Sequence, residues 1–156
     1  MVVGWREWLA LPALGLPAVK AKIDTGARTS ALHAFSIRVV TRGGGRYARF
    51  LVHPLQHNTR MVRECSAEIV DRRMVTDSGG HRERRYVVAT PVRLGTREWN
   101  MELTLTDRDT MLFRMLLGRT AMHGRLLVDP RASFLHGRPD LPLLYPTAPV
   151  CQGARD

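Results

Sequence analysis

The stretch Trp99-Asn100-Met101-Glu102-Leu103-Thr104-Leu105-Thr106 changes from apolar to polar at every step. Period two is the pleat of a β-strand, with Trp99, Met101, Leu103 and Leu105 on one face and Asn100, Glu102, Thr104 and Thr106 on the other. The pattern recurs between glycine-rich breaks. Val19, Ala21 and Ile23 share a face in residues 18–23, and residues 30–52 read as a hairpin turning at "RGGGR". Residues 61–76 and 83–92 read as a longer pair joined by "TDSGGH", where Asp77, Ser78, Gly79 and Gly80 supply turn chemistry. Residues 91–106 form a third pair. Helix is scarce: one short segment starts near Gly118 and stops at Gly124, before a last strand, "RLLVD", at 125–129. This is the punctuation of an all-β domain.

A chain of 156 residues is one ordinary domain and can bury a core without disulfide or metal staples. The apolar run at residues 9–19 is broken by Pro12, Gly15 and Pro17, so it is neither a secretory leader nor a membrane span. It reads as a surface loop between two strands. Five of the nine prolines fall in residues 130–156, so 132–156 reads as a tail extended over the surface with a loose end, after a domain at 1–131. Two widely spaced cysteines, Cys65 and Cys151, make no disulfide framework and suit a reducing cytoplasm. The net charge is +10, almost all of the positive charge being arginine; lysine occurs only at Lys20 and Lys22. Two readings of that charge stay open. One is an acidic partner, nucleic acid or ribosome or anionic peptide; the other is a solvated arginine-rich surface.

Searches for common chemistry are mostly empty. There is no His-Glu-x-x-His, no Cys-x-x-Cys, no phosphate-binding glycine loop ahead of a helix, and no Gly-x-Ser-x-Gly elbow. His53 and His57 are four apart, but Pro54 argues against a helix that would aim them at one metal. Cys65 sits in a strand pattern and reads as a buried inert thiol rather than half of a Cys–His dyad. His33 alternates with apolar neighbours and reads as a core histidine, and Trp5, Trp8 and Trp99 as core or interface aromatics.

What remains is "KAKIDTGARTSALHA" at residues 20–34. Asp24-Thr25-Gly26 follows an apolar strand and precedes another, so a carboxylate stands on a sharp turn between buried elements. Such a carboxylate is expensive unless its neighbours stabilise it. Downstream, Leu116-Leu117-Gly118-Arg119 ends a second strand ahead of the short helix, and between the two lies the hairpin tipped by Ser78-Gly79-Gly80. Asp-Thr-Gly-Ala, a glycine-tipped hairpin and Leu-Leu-Gly-Arg occur in this order in retropepsin-like aspartic proteases. More closely, residues 4–131 resemble the bacterial RimK-associated retropepsin-like family, long labelled an ATP-dependent zinc protease. The label does not suit these residues, which hold neither a zinc motif nor a nucleotide loop.

The resemblance implies a closed β-barrel of the acid-protease kind with one short helix, no cofactor and no metal. It implies Asp24 as the catalytic carboxylate, braced by Thr25, Gly26 and Ala27 and supported from beneath by Leu117, Gly118 and Arg119. Ser78, Gly79 and Gly80 would be the tip of a flap over the substrate. One Asp-Thr-Gly per chain is half a site, so the resemblance also implies a homodimer with two carboxylates sharing one proton. The implied substrate is a peptide, with the glutamate tail of a ribosomal protein as one candidate. In many retroviral relatives an acidic residue follows the Asp-Thr-Gly-Ala and pairs with the downstream arginine. Here that place is Arg28, so Arg119 needs another partner, Asp107 or Asp109. Arg28 then either meets an acidic substrate group or pairs with a structural carboxylate. A binding module without turnover, and a ribosome- or RNA-binding barrel driven by charge, are the alternatives. The second is less favoured because the sequence shows no exposed aromatics interleaved on a strand face.

Overall fold

A computed structural model of the protein describes residues 1–108 and 112–146. The strands are β1 (Val2–Gly4), β2 (Arg6–Leu11), β3 (Leu16–Ile23), β4 (Ser30–His33), β5 (Phe35–Arg42), β6 (Gly45–Val52), β7 (Arg63–Thr76), β8 (Arg82–Leu94), β9 (Arg97–Thr106), β10 (Met115–Leu117) and β11 (Leu127–Asp129). Two one-turn helices, α1 (Arg119–Met122) and α2 (Leu141–Leu144), and a tight turn at Pro12–Leu14 complete the described elements. Six strands stand side by side in the order β2-β3-β10-β4-β9-β8, and β2 meets β8 at Ala10 and Arg93, which closes the ring. From β8 the sheet runs on through β7, β6 and β5, while β1 and β11 make a separate parallel pair. This is an all-β, retropepsin-like fold. No described helix is long and apolar enough to cross a membrane.

The core follows the alternation. Trp99, Met101, Leu103 and Leu105 are buried together with Leu9, Val19, Leu32, Val88 and Met115. The polar face of β9 is less simple. Asn100 and Glu102 are exposed, but Thr104 and Thr106 are buried. Thr104 Oγ1 donates to the Ser30 carbonyl at 2.8 Å, and Thr106 Oγ1 donates to the Glu83 carboxylate at 3.0 Å. A hydroxyl can be covered at this cost because each one finds an acceptor.

Two local expectations change. The single hairpin over 30–52 is two structures: β4 lies parallel to β9 inside the barrel, and only β5 and β6 form the hairpin. The chain leaves the barrel at buried Ala34, whose N–H donates to the Thr106 carbonyl at 3.0 Å. The run at 9–19 is a buried hairpin rather than a surface loop. Leu9, Leu11, Leu14, Leu16 and Val19 all face the core around a turn at Gly15, where φ is +71°. The segment 132–146, expected to extend over the surface, is bonded to the barrel. Trp5 N–H donates to the Ala132 carbonyl at 2.9 Å and Phe134 N–H to the Arg6 carbonyl at 3.0 Å. Fully buried Glu7 gathers the N–H groups of Gly4, Leu135 and His136 on its carboxylate at 2.7, 3.0 and 3.3 Å. Tyr145 is buried, its hydroxyl bonded to the Ala18 backbone. The loose end expected after that lies outside the described residues.

Candidate functional site

The Asp24 loop is held by backbone hydrogen bonds to the end of β10 and the start of α1. Asp24 N–H donates to the Leu117 carbonyl at 2.9 Å, Arg119 N–H to the Ala27 carbonyl at 2.9 Å and Thr120 N–H to the Arg28 carbonyl at 3.0 Å. Gly118 N–H donates to the hydroxyl of buried Ser30 at 3.0 Å. Segments nearly a hundred residues apart in sequence are thereby locked together. Ser30 was not singled out in the sequence; its signal is a small hydroxyl where the alternation predicts a buried position.

Within the loop, Gly26 N–H donates to Asp24 Oδ1 at 3.0 Å. The Asp24 side of the loop is half-buried, while Thr25, Gly26 and Arg28 are exposed at its crest. Arg119 does not pair with Asp107. Its Nη1 donates to the Thr25 carbonyl at 3.0 Å, a neutral acceptor inside the loop itself. Asp109 lies outside the described residues. With the acidic residue replaced by Arg28, a backbone carbonyl is the acceptor that the guanidinium reaches.

Asp24 and the β7–β8 hairpin face one cleft of about 930 Å³. Asp24, Gly26, Ala27 and Arg28 line one side, and Met74, Val75, Thr76, Asp77 and Ser78 line the other. Gly79 and Gly80 form the outer part of the tip and do not line it. The tip is built around Asp77. Its carboxylate accepts the N–H groups of His81 and Gly79, each at 2.9 Å, and pairs with Arg108. The His81 N–H first, and the Arg108 charge after it, hold the Asp77 carboxyl below the usual carboxylate range. Gly80 completes the turn with φ of +81°, which glycine adopts without strain.

The cleft is net basic. Arg28, Arg73, Arg85, Arg108 and Arg119 line it against Asp24, Asp77 and Glu102. Most of these arginines are engaged. Arg73 bridges Asp71 and Glu102 at 2.6 and 2.7 Å, and Arg85, only 6% exposed, is held at Nε by Glu83 at 3.1 Å. Among the described residues the Arg28 side chain has no carboxylate partner. Of the arginine pairs 72–73 and 84–85, Arg73 and Arg85 line the cleft.

The other candidates sit apart from this cleft. Cys65 is buried, and burial pushes its thiol up to about 12, so no thiolate is available at neutral pH. His53 stacks on Phe35 with ring centroids 4.5 Å apart. His33 is buried, and its Nδ1 accepts the Arg108 N–H at 3.3 Å. Among the described residues no group of His, Cys, Asp and Glu side chains is arranged around a metal position.

Comparison with known proteins agrees with the geometry. Residues 2–139 match the RimB-like family, described as the retropepsin-like aspartic endopeptidase RimB. Probable alpha-L-glutamate ligases of Shewanella pealeana and Parasynechococcus marenigrum are 48% and 49% identical to this chain over 136 and 133 residues. These matches cover 87% and 85% of this chain but only 30% and 28% of those proteins, so the chain spans less than a third of their length. A Legionella pneumophila protein of unknown function has a similar crystal structure, with a TM-score of 0.74 at 28% identity, over 86% of this chain and 97% of that one. The chain belongs to the RimB-like family of retropepsin-like aspartic endopeptidases.

Proposed function

We propose that the protein is an aspartic peptidase that works as a homodimer, with Asp24 of each subunit forming the catalytic pair. The observation that carries this is the placement of Asp24 on an exposed, rigidly bonded loop facing the glycine-tipped β7–β8 hairpin across one cleft. A single carboxylate cannot both activate water and polarise a carbonyl. Two carboxylates a few ångströms apart hold one proton between them. The ionised member takes a proton from water, whose oxygen attacks the scissile carbonyl, and the protonated member donates to the carbonyl oxygen. Collapse of the tetrahedral adduct breaks the C–N bond, and the amine leaves with a proton returned from the pair. The β7–β8 hairpin would close over the peptide and exclude water, with Ser78 and the two glycines at its tip. Thr25, Gly26 and Ala27 would brace the paired loops, and Leu117, Gly118 and Arg119 would hold each loop from below.

The substrate class follows from charge. The cleft has two more cationic than anionic side chains, and among the described residues Arg28 and Arg119 have no carboxylate partner, with Arg119 held on the Thr25 carbonyl and Arg28 exposed. An acidic peptide fits that arrangement. The relatives support the same class, since proteins named as glutamate ligases contain a segment like this one. A glutamate-tailed ribosomal protein is the substrate to try first.

The test is mass spectrometry of a glutamate-tailed peptide and a neutral peptide library after incubation with the protein or Asp24→Asn. Cleavage that disappears in Asp24→Asn supports the reading, and cleavage that persists overturns it. In the same assay Arg28→Ala is expected to slow the acidic peptide about tenfold or more and to spare neutral ones. No cleavage by a confirmed dimer would favour a binding module that keeps the fold without turnover.

A further inference from the structure

On the outer face of β2 and β3, away from the core, three cations converge on a set of aromatic rings. The Arg6 guanidinium lies 4.7 Å from the Trp5 ring and 4.8 Å from the Phe134 ring. Arg138 lies 4.5 Å from Phe134 on the tail, and the Lys20 ammonium 5.4 Å from Trp8 and 5.8 Å from Phe134. Trp8 and Phe134 stack on each other, 29° from parallel. Lys20 lies directly opposite Trp8 across the β2–β3 pair, and exposed Lys22 lies opposite Arg6.

The polar partners of these cations are neutral. Arg6 Nε donates to the Ser133 hydroxyl at 3.2 Å, and Lys20 Nζ donates to the Gln56 side-chain oxygen at 2.8 Å. Among the described residues none of the three pairs with a carboxylate. Glu7, the nearest acid in β2, points to the opposite face and its oxygens are taken by three backbone N–H groups. Burial, and then the charges of Arg6 and Arg138, lower the Lys20 pKa, as expected of like charges pressed together. The rings attract each cation but neutralise none of them. They hold the guanidinium groups in place on the ring faces.

We propose that this face binds the phosphodiester backbone of a single-stranded nucleic acid. Phosphates would supply the missing anions to Arg6, Lys20 and Arg138, and a base would pack beside the partly exposed Trp8 and Phe134. An acidic peptide could answer the charge through its carboxylates, whereas a nucleic acid brings a planar base beside every phosphate and so matches the alternation of cations and rings better. The site does not depend on the peptidase reading.

The test is fluorescence polarisation of a labelled oligouridylate titrated with the protein, across about 50–200 mM salt. Lys20→Gln/Arg138→Gln is expected to weaken binding about tenfold at low salt and to flatten the slope of log K against log salt by about 1.4, about 0.7 for each lost phosphate contact. A charge-matched control, Arg42→Gln/Arg46→Gln at the β5–β6 turn, is expected to leave the slope nearly unchanged. Arg138→Gln alone, at an exposed position, repeats the comparison without touching a strand. The proposal is overturned if the protein does not bind the oligonucleotide, or if the control loses as much as the patch variant. It is also overturned if polyglutamate at equal charge displaces the RNA as well as unlabelled RNA does.

Discussion

Gly118 has no room for a side chain. A Cβ built there would lie 2.6 Å from the carbonyl carbon of Thr29, 2.7 Å from its oxygen and 3.0 Å from the Arg28 carbonyl oxygen. Its φ of −93° is ordinary, so contact rather than backbone conformation demands glycine. The opposing atoms are backbone of the Asp24 loop, which cannot yield without moving the carboxylate. Gly118→Ala is therefore expected to destabilise the protein by roughly 1–3 kcal/mol and to lower peptidase turnover more than Gly45→Ala, where φ is not left-handed and the nearest atom is on the flexible Tyr47 ring at 3.3 Å. Urea unfolding and peptide cleavage on the two variants measure this; equal behaviour would refute it. The Leu-Leu-Gly-Arg motif was legible in the sequence, but the reason for its glycine was not, because Thr29 is close only after folding. Arg119 makes the same point: its reach to the Thr25 carbonyl replaces a carboxylate that local sequence could only guess at.

The β7–β8 hairpin was readable because its turn is local: Asp77, Ser78, Gly79 and Gly80 contain the acceptor and the positive-φ residue it needs. The break between β4 and β5 was not readable, since it depends on β9 offering an edge some 70 residues away in sequence. The Asp77 tip gives the hairpin a pH dependence. Its carboxyl ionises more readily folded than unfolded, where an ordinary Asp titrates near about 3.9. The stabilisation is thus complete above that value and is lost as pH falls through the lower folded pKa. The tip should stay ordered from neutral pH down to about 4 and loosen below it. Backbone ¹⁵N relaxation at Gly79 and His81 reads this directly, with Asp77→Asn lacking the acid step. Loosening already at pH 6 in the unsubstituted protein would contradict it.

A dimeric site makes activity a property of the assembled molecule. Specific activity should fall as the protein is diluted below the dissociation constant of its dimer, and excess Asp24→Asn should inhibit the unsubstituted chain by forming mixed dimers. Activity strictly proportional to concentration, with no effect of added Asp24→Asn, would show a site complete in one chain. The alternation of β9, the glycine turns and the Asp-Thr-Gly triplet are short-range features, and the sequence sufficed for them: an all-β barrel and a carboxylate on a tight turn. The cleft, the closure of β2 on β8 and the clustering of Arg6, Lys20 and Arg138 around Phe134 join segments up to 132 residues apart. No local pattern encodes them, because each depends on which strands pair and on how far the sheet twists. Tertiary structure alone made a surface of Trp8 and Phe134, residues that look unrelated along the chain.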